Sequence, residues 1–400
     1  MQDDTPASWT PEAAPGPTAV RERALEIRFT GSGSEYFRIW VVNLLLSIVT
    51  LSLYRPWAKV RRLRYFYANT LVDGHALDFH GDPRKMLRGY LLAGLMLLSY
   101  SAAGRFSPVA ALVALLILAV LWPALLRASM QFRLANTSWR GLRFQFSGTL
   151  DGAYRAMLPL FIPAIALGIL GLGVTDPAHP PSWYLPYFGL TMLATLALMP
   201  LAWWNFKRFQ HDNFNLGQWR TKLATGPGSV YGLSLRLFGV WIGSTVAVMV
   251  ILVILGVVVG AVAGVGGRSA WMHDRGLMGV LIMAATLLFY FLALIVPVPY
   301  AISRSQNLIW GHTRSDEAWF LSTLSFEAML KLTIRNWLLM VVTLGLYYPF
   351  AAVASYRLRV ESITPQLAGD LDQVVAQSTA RASDASGDAA GDLFGIDIGL

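Results

Sequence analysis

Tyr54-Arg55-Pro56-Trp57-Ala58-Lys59-Val60-Arg61-Arg62-Leu63-Arg64-Tyr65-Phe66-Tyr67-Ala68-Asn69-Thr70 decides how the rest of this chain is read. It starts with a proline where an apolar stretch ends, places an aromatic nine residues later and an asparagine thirteen residues later. The same spacing returns twice, as Pro123, Phe132 and Asn136 and as Pro200, Phe209 and Asn213. A degenerate fourth copy follows Pro299, with His312-Thr313 in the Asn-Thr place. A fifth follows Pro349 and keeps only the beginning. Self-similarity of this kind, punctuated by long apolar runs, indicates an internally repeated polytopic α-helical membrane protein.

Nothing between Pro56 and Asn69 breaks a helix, so the segment reads as the end of a span continuing into an interfacial helix. Beyond it, Asp73-Gly74 divides two short stretches of alternating polarity, which is a β-hairpin signal. Gly141 stands at the same distance from Asn136, and Gly217 one residue closer to Asn213. One hairpin is therefore expected in each long loop. A lone hairpin is marginal in water, so the hairpins are expected to join in a small sheet. The asparagines then have a structural role, capping a helix end or fixing the turn into the hairpin.

Composition agrees with this class. Of 400 residues, 55% are hydrophobic and 14% charged, with mean hydropathy +0.49, whereas soluble domains carry about 25% charged residues. Apolar segments fall near 37–54, 87–104, 107–126, 156–175, 183–204, 236–265, 277–302 and 336–355. The middle six form three tight pairs. The loops 55–88, 127–155, 205–236 and 303–335 carry 22 of the 32 Lys and Arg, which places them in the cytoplasm. The first and last segments are barely long enough to cross, and they match at one offset: Asn43, Thr50, Leu51, Leu53, Tyr54 and Pro56 against Asn336, Thr343, Leu344, Leu346, Tyr347 and Pro349. They either cross, giving about eight hydrophobic helices, or dip in and return, leaving six. The reading leans to eight. Domain organisation is expected as a disordered tail over 1–28, a repeated transmembrane domain over 29–364 with units starting near 56, 123, 200, 299 and 349, and a disordered acidic tail over 365–400, read as solubilising in preference to a short docking motif at Leu393-Phe394 and Ile396-Asp397-Ile398.

Chemistry is scarce. The absence of cysteine excludes disulfides and thiolate chemistry. No nucleotide, hydrolase or metal spacing occurs among the six histidines, so no cofactor or metal is expected. Asp82, Asp151, Asp212, His211 and His312 come from different loops without a shared motif, so an enzyme is not the favoured class. The net charge of +9 is read as topology rather than nucleic-acid binding. The spans hold no internal Asp, Glu or His, which argues against proton coupling. Gly256, Gly260 and Gly264 are spaced for close helix packing. Arg55, Lys59, Arg61, Arg62 and Arg64 put five cations within ten residues at a membrane edge. Such a cluster anchors topology and is also a candidate site for anionic lipid headgroups.

The run from Phe29 to Pro83, with Phe29-Thr30-Gly31-Ser32-Gly33-Ser34-Glu35-Tyr36-Phe37, Tyr54 to Phe66, Asn69-Thr70 and Phe79-His80-Gly81-Asp82-Pro83, resembles the YjgN-like bacterial inner-membrane family, a catalogued domain of unknown function. The resemblance implies inner-membrane residence and supplies neither an activity nor catalytic residues. The leading expectation is a protein that binds or moves a small or amphipathic solute. The alternative is an envelope scaffold that binds anionic lipid. Membrane lipids are the expected partners, with a homo-oligomer as a further option.

Overall fold

The computed structural model describes residues 22–174, 176, 178–217, 219–265 and 275–368. Strands β1 (Glu22–Ala24) and β2 (Ile27–Phe29) precede α1 (Gly33–Val49), α2 (Arg55–Ala68), β3 (Thr70–Val72) and β4 (His75–Phe79). Next come α3 (Pro83–Phe106), α4 (Pro108–Ala135), β5 (Thr137–Trp139) and β6 (Leu142–Phe146). They are followed by α5 (Leu150–Leu172), α6 (Tyr184–His211), β7 (Phe214–Leu216), β8 (Trp219–Arg220) and β9 (Lys222–Leu223). Then follow α7 (Pro227–Val265), α8 (Arg275–Leu294), α9 (Pro297–Trp310), β10 (Thr313–Arg314) and β11 (Ala318–Ser322). The last elements are α10 (Phe326–Val342), α11 (Tyr348–Glu361) and β12 (Ile363–Ala368). Groups of two or three helices thus alternate with groups of strands along the described chain.

Local chemistry explains the helix starts. Ser32, Asp82, Thr149 and Ser325 each accept a backbone N–H from the first turn of the following helix, and Ser32 with Glu35 forms a full capping box. Pro123 and Pro200 sit inside α4 and α6, where each removes one helical hydrogen bond. The helix packed alongside offsets the disturbance. Tyr154 on α5 donates to the Val120 carbonyl at 2.6 Å, and Tyr231 on α7 donates to the Ala197 carbonyl at 2.7 Å, both one turn ahead of the proline.

Among the described residues, six helical stretches are long and apolar enough to cross a membrane: Pro83–Phe106, Pro108–Ala135, Leu150–Leu172, Tyr184–His211, Pro227–Val258 and Leu288–Trp310. Their outer faces carry exposed leucine, valine and isoleucine, as a lipid-facing surface requires. The molecule is a polytopic membrane protein. The first and last apolar segments are built differently from the eight-helix expectation. Each is one 17-residue helix, about 25 Å long, followed by a reversal over Thr50–Tyr54 or Thr343–Tyr347 and a 14-residue return helix, α2 or α11. The two reversals match atom for atom. Thr50 Oγ1 donates to the Leu46 carbonyl and accepts from Tyr54 N; Thr343 Oγ1 does the same with Leu339 and Tyr347. Ser52 N reaches back to the Ser47 carbonyl and Gly345 N to the Met340 carbonyl. The tips themselves are bare hydrocarbon, with Leu51 89% and Leu344 93% exposed.

The strands lie at one end of the molecule in two antiparallel sheets, β1-β12-β11-β10-β9 and β2-β3-β4-β5-β6-β7-β8. β1 runs into β2 through Leu25-Glu26, and β8 runs into β9 through Thr221, so the two sheets share both corners and the strands close into a ring. The corners stay bonded: at the first, Leu25 N donates to the Pro365 carbonyl at 2.8 Å and Asp73 N to the Glu26 carbonyl at 2.9 Å, and at the second Thr221 N donates to the Phe214 carbonyl at 2.9 Å. Closure pairs β1 with β12, Ala24 opposite Gln366, and so ties the two ends of the described chain together. The ring is filled, not hollow. Leu25, Trp139 and Leu367 are buried at its centre, and Val72, Leu77, Phe144, Leu216, Trp219 and Ala318 pack against them. Each fully buried side chain of this size contributes about 1.5–3 kcal/mol, so the hairpins share one core that none could form alone.

The folded part extends beyond the expected 29–364 at both ends, because β1, β2 and the last residues of β12 belong to the ring. The tails before residue 22 and after residue 368, with the motif at 393–398, lie outside the described residues. The close-packing role expected of Gly256 is not found among the described residues, where a Cβ there would meet open space. The surroundings of Gly260 and Gly264 also lie outside what is described.

Candidate functional site

The repeated residues hold the ring to the helices. Asn69, Asn136 and Asn213 end α2, α4 and α6, and each donates its side-chain amide to the carbonyl four residues back, at 2.8, 2.8 and 2.7 Å. Those carbonyls belong to Tyr65, Phe132 and Phe209, the aromatics of the motif. The main-chain carbonyls of the same asparagines accept from Thr30 N, His80 N and Ser147 N at 2.9, 2.8 and 3.0 Å, which joins each strand pair to its neighbour. His312 and Ser362 take the same place for Ala224 N and Thr323 N, at 2.8 and 3.0 Å. The turn glycines are equally structural. Gly74, Gly141 and Gly217 all have positive φ, with Asp73 and Arg140 also positive in the two-residue turns. Pro56, Pro123 and Pro349 are fully buried.

A second recurring contact was missed from the sequence. The carbonyl two residues before α3, α5, α7, α10 and α1 accepts a side-chain donor from the helix that precedes it around the ring, which for α1 is α11. Arg64 donates to Gly81 at 3.2 Å, Arg127 to Gly148 at 2.6 Å, Trp204 to Thr225 at 2.9 Å, Asn307 to Leu324 at 3.0 Å and Arg357 to Gly31 at 2.7 Å. The donors differ in chemistry and in position after the proline, so no motif announces them. The acceptor side was legible in part, as Phe29-Thr30-Gly31-Ser32, Phe79-His80-Gly81-Asp82 and Phe146-Ser147-Gly148-Thr149.

The five-cation cluster divides on folding. Arg64 is consumed by the bond to Gly81. Arg61 points another way and lies over the Tyr54 ring. Arg55, Lys59 and Arg62 follow one another at i, i+4 and i+7 on one face of α2, and they line a cavity of about 610 Å³. Its other walls are Tyr36, Trp40, Asn43, Leu44 and Ser47 of α1, with Tyr348 of α11. Asn43 is 7% exposed, and its side-chain oxygen has no hydrogen-bond partner. Among the described residues neither the Arg55 nor the Lys59 side chain has a hydrogen bond or an ion pair. Arg62 has only the face of Phe66.

These cations belong to a larger set. The helices pack in chain order, with α11 against α1, so they form a ring above the strands. Lys59 on α2 feels Arg133 on α4, and Lys207 on α6 feels both Arg133 and Arg359 on α11. These pairs come from helices that are not ring neighbours, so the charges look at one another across the middle. Every charge that acts on Lys59 and Lys207 is positive. Lys59 and Arg359 are open to water yet densely surrounded by protein, and that burial lowers both pKa values. For Lys59 that surrounding is the cavity it lines with Arg55 and Arg62. The site can attract and hold an anion.

Of the residues considered for enzymatic roles, Asp82 and Asp151 stand apart, while His211, Asp212 and His312 come near one another beside β9 and β10, each held by its own structural bond. Asp82 caps α3, Asp151 pairs with Arg155, and Asp212 binds Leu223 N and Arg208. His211 bonds Thr313 Oγ1 at 2.9 Å, and His312 the Leu308 carbonyl at 2.8 Å. Among the described residues no group of three His, Cys, Asp or Glu is placed to hold a metal ion.

Residues 24–393 match the model of a family described as bacterial protein of unknown function (DUF898), and the chain belongs to that family. Its relatives include the inner membrane protein YjgN of Salmonella typhimurium, 26% identical over 362 residues, 86% of this chain and 89% of the relative. The inner membrane protein YjgN of Escherichia coli O157:H7 is 23% identical over 370 residues, with the same coverage. That of Escherichia coli K12 is 32% identical over 146 residues, 35% of each chain. No solved structure matches the chain.

Proposed function

We propose that this family member resides in a bacterial inner membrane and binds an anionic amphipathic solute inside its helix ring, with the strand ring facing the cytoplasm. The observation that carries the reading is a concentration of cations without a carboxylate partner among the described residues: Arg55, Lys59 and Arg62 around one cavity, with Arg133 acting on Lys59 and, together with Arg359, on Lys207. Arg55, at the hairpin tip, lies deepest of the six, and ionisable groups at membrane depth are costly and are kept where they serve a path or a ligand. The wall of the ring favours a solute that arrives from the bilayer. α1, α2, α10 and α11 sit side by side and reach only partway, so the wall is low on that side. The filled strand ring closes the other end, which favours binding and lateral exchange over an open pore. The location rests on the names of the relatives, and the sidedness on the 22 basic residues of the strand-bearing loops. The five helical pairs, each joined to the strand ring by the same two contacts, support reading the chain as an internal repeat.

Native mass spectrometry of gently purified protein tests the reading. A discrete bound phospholipid is expected on the intact particle. A particle that carries no lipid and takes up none from anionic nanodiscs overturns it. A scaffold role uses the same cations but needs no enclosed space. A double Lys207→Gln, Arg133→Gln variant therefore separates the two: retention of lipid falls under the first reading and is unchanged under the second.

A further inference from the structure

Resting on that reading, we propose that the cavity between α1, α2 and α11 is a headgroup site for an acidic phospholipid whose headgroup carries a hydroxyl. The phosphate lies along Arg55, Lys59 and Arg62, and the acyl chains leave past the hairpin tip into the bilayer.

The geometry argues this from four sides. Arg55 stands at the far end of α1 from the strand ring, next to the exposed Leu51 and Leu53. A guanidinium without a protein partner at that depth needs an anion that can itself reach the hydrocarbon, and a lipid phosphate can. Lys59 follows about 6 Å along the helix and Arg62 about 4.5 Å further, so the cations form a ladder from the tip toward the strand ring. Tyr36, Trp40 and Tyr348 line the same cavity, and tyrosine and tryptophan suit the level where headgroup meets acyl chain. The buried Asn43 oxygen lacks a donor. A headgroup hydroxyl supplies one. Choline, which has no N–H or O–H, does not.

The matching return hairpin shows what makes this cavity particular. Arg55 corresponds to Tyr348, Lys59 to Ala352 and Arg62 to Ser355. The tips fold identically, yet the cations occur only on α2. They are therefore not a requirement of the hairpin fold.

The test uses the full-length protein in nanodiscs of phosphatidylcholine doped with phosphatidylglycerol, and reads bound phosphatidylglycerol per protein. Wild type is expected to enrich phosphatidylglycerol over phosphatidylcholine. Arg55→Gln, Lys59→Gln and Arg62→Gln are each expected to weaken that enrichment about fivefold. Arg61→Gln removes the same charge from the opposite face and is expected to leave it unchanged, as is Lys59→Arg. Unchanged thermal midpoints verify that the variants are folded. Enrichment that falls equally in Arg61→Gln overturns the site and leaves a diffuse charge effect. Enrichment in wild type that none of the three variants alters overturns the site but spares the broader reading; no enrichment in wild type overturns both. Uptake of inorganic phosphate in detergent, lost in Arg55→Gln and competing with phosphatidylglycerol at equal strength, overturns the lipid as the source of the phosphate.

Discussion

Phe79-His80-Gly81-Asp82 shows how much one residue carries. The main chain must turn from a strand into a helix within three residues, His80 to Asp82, while the Phe79 ring folds back over it. A Cβ at Gly81 would lie 2.5 Å from that ring, inside any permitted contact. Gly81→Ala is expected to lower the thermal midpoint in detergent and to destabilise by about 1–3 kcal/mol; an unchanged midpoint would contradict the packing. The glycine, the N-cap and the asparagine were all legible as spacing. Arg64, Arg127 and Trp204, which donate to the carbonyl at that glycine place, were not, because the bond needs only a long donor of some kind and leaves the residue type free. Lys59 carries the other prediction at this scale. Burial, then Arg133 and Arg62, lower its pKa below the ordinary 10.5. In the window between the lowered value and 10.5 the unfolded chain holds more protons than the fold, so stability rises with pH there. An anion prefers the charged lysine, so its binding runs the opposite way. Phosphatidylglycerol enrichment is expected to weaken as pH climbs through that window, and Lys59→Arg, which does not titrate there, to flatten the profile.

Among the elements, the helical pairs at the two ends depart most from what the sequence suggests. Residues 37–54 have the composition of a span, and Thr50 to Tyr54 contain neither glycine nor proline to signal a reversal. The reversal is built from hydroxyls and from left-handed backbone at Leu51 and Ser52, where φ is 48° and 71°. Only the partner copy reveals the need, because Gly345, at φ 89°, stands where the first copy has Ser52. Left-handed backbone costs a non-glycine residue about 1–2 kcal/mol. Ser52→Gly is therefore expected to raise the thermal midpoint and Gly345→Ala to lower it, with opposite shifts of similar size. Shifts of the same sign would show that the tips are not equivalent. The strand pairs were easier to read, since Asp73-Gly74 and Arg140-Gly141 fix both turn type and register. Their closure into a ring was hidden. It depends on β9 and β10, two residues each, and on β1 and β12, which fall in stretches that composition alone reads as tail.

Closure is a property of the whole molecule, and it makes the two ends of the described chain interdependent. β1 is the last strand the ring needs on one side and β12 on the other, so the ring stays open until α11 has emerged. The natural chain has no cysteine, which leaves engineered pairs free of background. Ala24→Cys with Gln366→Cys, opposed in the register, is expected to cross-link on oxidation of isolated membranes; failure to do so would contradict the closed ring. The same background gives a direct reading of orientation. All strand turns lie on one side of the helix ring, and the α5–α6 connection lies on the other. His75 and Ser182 are exposed at these two ends. If the basic, strand-bearing side faces the cytoplasm, a membrane-impermeant maleimide labels Ser182→Cys in intact spheroplasts and reaches His75→Cys only after lysis. The reverse pattern would turn the molecule over and place the strand ring outside. Arg55, at the far end of α1 from that ring, would then sit toward the cytoplasmic leaflet, and the lipid drawn from the bilayer would have to come from that leaflet.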